Sequence, residues 1–164
     1  MWYFMAGMES SSNYISDGKC DFGLMTFLGL RKQSNFDKIQ HLFEHILIDS
    51  GAYSFHHGAT TASFDEYLNS YIEFVKNNTN NPKIIGFFEL DIDSSVGYEK
   101  VLEYRRRLEE VSDKIIPVWH QNRGISEYIK MCKEYSGKRV AVACVGWRDM
   151  YPEQLNLFIN TAHK

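Results

Sequence analysis

Each thing this chain is short of closes off a class of function. Cysteine is sparse: Cys20, Cys132 and Cys144 are odd in number, far apart, and form no C-x-x-C pair. That pattern argues for a reducing compartment and against a zinc knuckle or a disulfide framework. No apolar run is long enough to cross a bilayer. The apolar start, Trp2 to Gly7, lacks the basic flank of a signal peptide and reads as a strand. Net charge is only −3, so no global basic field recruits nucleic acid, and any such contact needs a local patch. No Gly-rich phosphate loop follows the first strand, no low-complexity segment occurs, and no linker divides the sequence. The expectations are a cytoplasmic protein with no membrane partner, no metal and no cofactor.

What is present is enough for a core. With 164 residues, 44% of them hydrophobic and 15% aromatic, a single domain over residues 1–164 is expected. The chain is organised around Ile46-Leu47-Ile48-Asp49-Ser50-Gly51-Ala52-Tyr53-Ser54-Phe55. Three apolar residues form a short buried strand, and an acid, a hydroxyl and a glycine follow at once. In a sheet covered by helices, reactive groups collect just past the carboxyl ends of strands. Asp49 is therefore a candidate site residue; the plainer reading is an Asp-Ser-Gly turn that only caps the strand.

The remaining elements follow in order. Trp2 to Ala6 reads as a first strand, residues 9–19 as a polar loop, and the dense apolar stretch from Phe22 to Leu30 as a helix. Ser63-Phe64-Asp65-Glu66 is an S-x-x-E capping box. It opens a helix whose stripe is Phe64, Tyr67, Leu68, Tyr71, Ile72 and Val75, stopped by Asn77 to Pro82. Lys83 to Asp91 repeats the strand-then-acid grammar. A helix from about Tyr98 to Val111 has Val101, Leu102 and Leu108 inside. Its Arg105-Arg106-Arg107 run reads as a solvated face neutralised by Glu103, Glu109 and Glu110. Lys114 to His120 is a further strand. Gly124 to Tyr135 is a helix with Ile125, Tyr128, Ile129 and Cys132 in register, closed by Gly137. Arg139 to Gly146 is another strand, and a last helix starts near Pro152.

Alternating strands and helices with continuous apolar runs imply an α/β fold with parallel strands. Asp49, the Glu89-Asp91-Asp93 group, His120 and Gly146 all fall at strand ends. A barrel would bring them to one mouth, whereas an open doubly wound sheet would spread them along an edge. The expected architecture is a parallel (β/α) barrel of the TIM type, partial or truncated. About five strand-helix units are present, whereas a full barrel needs about 250 residues.

Leu47-Ile48-Asp49-Ser50-Gly51-Ala52-Tyr53 resembles the D-S-G-[GA]-[FY] motif of the queuine tRNA-ribosyltransferases (tRNA-guanine transglycosylases). It is closer still to their phage and bacterial relatives that insert 7-deazaguanines into DNA. Glu89-Leu90-Asp91, Pro117-Val118-Trp119-His120 and Ala143-Cys144-Val145-Gly146 follow in the family's order. The resemblance implies exchange of guanine for a 7-deazaguanine on tRNA or DNA. Asp49 would contact the base and transfer protons, and Asp91 would recognise the purine edge. Ser50, Gly51, Glu89 and Asp93 would line the base site. His120 would donate to the base O6, Phe55 or Trp119 would stack on the ring, and Gly146 would mark the matching strand end. The family's covalent aspartate lies beyond the segment that Ala143 to Gly146 resembles, so no nucleophile is assigned here by motif. A second chain or a second copy completing the barrel is one expectation.

Other readings stand beside this one. Asp91 and Asp93 can be a solvated loop, His120 a satisfied buried histidine, and Gly51, Gly86 and Gly146 plain turn residues. The acids and His120 also suit a divalent cation in a barrel hydrolase. A non-catalytic fragment binding nucleic acid or a protein partner is the third reading.

Overall fold

Short apolar runs become strands here because each lies beside the next one made. The computed structural model describes residues 2–7, 20–30, 32–52, 63–143 and 152–162. Its strands are β1 (Met5–Ala6), β2 (Cys20–Thr26), β3 (Phe43–Asp49), β4 (Ile84–Phe88), β5 (Ile115–Ile116), β6 (Val118–His120) and β7 (Ala141–Ala143). The helices are α1 (Phe27–Leu30), α2 (Gln33–Ile39), α3 (Phe64–Asn78), α4 (Asp93–Val96), α5 (Tyr98–Glu109), α6 (Gly124–Glu134) and α7 (Pro152–Ala162). The residues cluster into two compact units, Met1–Ile115 and Ile116–Lys164.

The first unit is built on a parallel sheet in the order β1-β2-β3-β4-β5, with helices between strands. β3 is central, pairing Leu24 with Leu47 and Thr26 with Asp49 on one side, and Ile48 with Phe87 on the other. The two faces of this sheet differ. Met25, Ile46, Ile48 and Phe87 are fully buried, in one cluster with Phe36 of α2, Leu68, Tyr71 and Val75 of α3, and Leu108 of α5. Leu24 and Leu47 are only half-buried, because alternation along the strand turns them to the opposite face.

The expected helix over Phe22 to Leu30 is a correction. Cys20–Thr26 is a strand, and only Phe27–Leu30 is helical. Pairing with β1 and β3 outweighs a weak helical pattern, and Gly23 fits the strand for a steric reason. A Cβ there would sit 2.6 Å from the Phe43 ring. By contrast, α3 begins at its capping box. The Ser63 hydroxyl accepts from the Glu66 amide at 3.3 Å, and the Ser63 amide donates to Glu66 Oε2 at 3.0 Å. These bonds hold the Glu66 carboxyl below its ordinary range.

The second unit pairs β6 with β7 in parallel, Trp119 opposite Val142 and His120 opposite Ala143. Its core is Trp119, Tyr128, Met131 and Tyr135, with Cys132 and Phe158 packed against it. The buried face of α6 is therefore Tyr128 and Met131, with Cys132 partly buried beside them and Tyr135 just past the helix end. Ile125 and Ile129, expected to face inward, are 41% and 37% exposed. The aromatic residues decide the face because Trp119 and Phe158 pack on Tyr128, with ring centroids 5.5 and 5.2 Å away.

Candidate functional site

Asp49 is the last residue of β3 and half-buried. Its Oδ1 accepts the Gly51 amide at 2.9 Å, so the Asp-Ser-Gly segment is a true side-chain-to-backbone turn. Gly51 has φ +83°, and a Cβ there would meet Leu28 Cβ at 2.9 Å and the Tyr67 hydroxyl at 3.0 Å. Only glycine suits both demands. Ser50 is fully buried, and its hydroxyl has no hydrogen-bond partner among the described residues.

Asp91 lies three residues past the end of β4, half-buried between Leu90 and Ile92, which are both fully buried. Asp93 is half-buried in the first turn of the short α4. The flanking apolar residues turn inward, so this segment is anchored rather than a freely solvated loop. Glu89 differs from both. It is fully buried, and its two oxygens accept from Arg105, Nε at 2.6 Å and Nη2 at 3.0 Å. Arg105 is 4% exposed. The expectation of a solvated arginine run is thus corrected at Arg105, whose spacing from Val101 and Leu108 puts it on the inner face of α5.

Electrostatics tie the two aspartates together. Tyr71 is fully buried, and its phenol is held well above the ordinary range by burial first, then by Asp49, by Tyr67 and by Asp91. Asp49 closes β3, and Asp91 follows β4, its paired neighbour in the sheet. The Tyr67 phenol is likewise raised, by burial and then by Asp49. Among the described residues no group of three or more His, Cys, Asp or Glu is placed to hold a metal ion. No family model, curated protein or solved structure matches the chain.

The other expected site residues belong to the second unit or lie outside the described residues. Trp119 is 4% exposed, donates its indole N–H to the Gly124 carbonyl at 2.9 Å, and packs on Tyr128 and Phe158. It is a core residue rather than an open stacking platform. His120 is half-buried at the end of β6. Phe55 and Gly146 lie outside the described residues, as does Cys144.

Two residues that the sequence reading treated only as stripe positions turn out to adjoin the site. The Tyr67 hydroxyl donates to the Ser50 carbonyl at 2.6 Å, and the Tyr71 hydroxyl donates to the Phe88 carbonyl at 2.8 Å. The signal lies in the stripe itself: a tyrosine on an inward-packing apolar stripe brings a hydroxyl that must find a partner, where leucine would fill the space without one.

Proposed function

We propose that this chain is a base-binding unit of the guanine transglycosylase type, holding a guanine or 7-deazaguanine of tRNA or DNA through Asp49 and Asp91. The observation that carries the reading is placement: Asp49 ends β3, Asp91 follows the end of β4, and these two strands pair in parallel, so both acids lie past the same end of one sheet. Two acids brought to one place suit a purine whose N1–H and N2–H donors both seek carboxylate oxygens. The Gly51 amide, donating to Asp49 Oδ1, fixes that side chain's orientation.

The strand order supports a barrel-type wall. A doubly wound sheet reverses its order at a switch point, whereas β1-β2-β3-β4-β5 never reverses. With right-handed crossovers, an unreversed order puts every connecting helix on one face. The half-buried Leu24 and Leu47 are then the residues that would line a barrel's interior. Chemically, one aspartate receives the base edge and the other serves proton transfer to the ring. The nucleophile toward the ribose is not assigned to any residue of this chain.

Calorimetry with guanine and with a 7-deazaguanine tests the reading. Wild-type protein is expected to bind one of them, and Asp49→Asn or Asp91→Asn is expected to remove binding while the circular dichroism spectrum is retained. Absence of binding to either base removes the basis of the reading. Incorporation of labelled base into tRNA or DNA then separates exchange from binding alone.

A further inference from the structure

We propose that Tyr67 and Tyr71 are positioning residues, a pair of phenol donors one helical turn apart that clamps the ends of β3 and β4 and sets the placement of Asp49 against Asp91. Its relevance to a bound base rests on the function proposed above, but the clamp itself does not.

The geometry is nearly symmetrical. α3 is the connection between β3 and β4, and residues four apart on a helix share a face with their Cβ atoms about 5–6 Å apart. Tyr67 reaches the carbonyl of Ser50, the residue after Asp49. Tyr71 reaches the carbonyl of Phe88, the last residue of β4. Ser50 directly follows β3, and Phe88 closes β4 one residue past its last pair with β3, Ile48 with Phe87. At each of these strand ends a phenol adds a hydrogen bond to the backbone.

Neighbouring residues hold the clamp in place. The Phe27 ring packs on both tyrosines, with centroids 5.3 Å from Tyr67 and 5.1 Å from Tyr71. Gly51 leaves room for the Tyr67 hydroxyl, which a side chain at that position would crowd at 3.0 Å. The capping box fixes where α3 starts, one turn before Tyr67. Burial, and then the nearby acids, push both phenols above their ordinary range, so both remain donors at neutral pH.

Site-resolved amide hydrogen exchange on the full chain, comparing wild type with Tyr67→Phe and Tyr71→Phe, tests the proposal. Phenylalanine keeps the ring and removes only the donor. The expected result is reciprocal. Tyr67→Phe speeds exchange at Ser50 to Ala52, and Tyr71→Phe speeds it at Glu89 to Ile92. Each effect should be roughly five- to tenfold, the equivalent of one net hydrogen bond, with Ile46 and Ile48 unchanged. A purely structural role would instead loosen the whole sheet together. Even acceleration across β3 and β4, or no acceleration, overturns the clamp. If one variant fails to fold, the other still reads its own strand end. Calorimetry with guanine on the same variants adds an affinity loss of similar size where the wild type binds. A wild type that binds no guanine counts against the base reading and leaves the exchange result standing.

Discussion

Glu89 and Asp91 stand two residues apart at the end of one strand, yet they do different work. Glu89 is fully buried with both oxygens taken by Arg105, whereas Asp91 is half-buried and exerts its charge on Tyr71. The difference comes from what each side chain meets once β4 has ended. Glu89 meets a guanidinium projecting from the inner face of α5, while Asp91 sits half-buried between the fully buried Leu90 and Ile92. Asp49 resembles Asp91 more than Glu89: half-buried, at a strand end, and felt by the same phenol. One carboxylate of the three is therefore buried in an ion pair, and the other two are half-buried at or just past strand ends.

The sharpest way to break that contrast is Arg105→Ala, which strands the Glu89 charge in a dry site. Loss of one partner of a buried pair costs about 3–5 kcal/mol, so the urea midpoint should fall steeply. Asp91→Asn, in the same assay, should cost less, because Asp91 is half-buried whereas the Glu89 charge left behind by Arg105→Ala is fully buried. Equal losses in the two variants would erase the distinction between them.

Gly51→Ala should have a middle-sized effect. It places a side chain at φ +83° and presses on Leu28 and Tyr67, for a loss of roughly 2–3 kcal/mol. Because it disturbs the turn that orients Asp49, base binding should weaken along with stability, which calorimetry and urea titration together would show. The smallest effect belongs to Ser50→Ala. A buried hydroxyl with no partner among the described residues gives the fold no hydrogen bond there, so its removal should leave stability unchanged or raise it by up to about 1 kcal/mol. A loss in thermal melting instead would mean that the hydroxyl is bonded in solution and belongs with Glu89 on the scaffold side.

The parts of the molecule that could be read from the sequence are those with a complete local signal. The capping box at Ser63 fixed the start of α3, and the branched run before Asp49 announced a strand that ends in an acid. The segment from Cys20 to Thr26 misled because its apolar residues fit a helix as well as a strand. Its partners, β1 and β3, are distant in sequence, and the close contact of Gly23 with Phe43 cannot be seen locally. Arg105 was misjudged for a different reason. Charge pattern alone suggested solvent, while helical period, counted from Val101 and Leu108, placed it inside. Trp119 looked like a stacking surface, but its indole and ring are satisfied within its own unit by Gly124, Tyr128 and Phe158. For the site, strand-end acids were legible, whereas the tyrosines that brace them required knowing which carbonyls lie above α3.

The unreversed strand order also bears on how the protein is made. Each strand of the first sheet docks against the one synthesised just before it, so β2, β3 and β4 can zip up in turn as the nascent chain emerges, with no wait for a distant partner. The strand that ends in Asp49 would then be in place to receive β4, the strand that leads to Asp91, as soon as that segment is made.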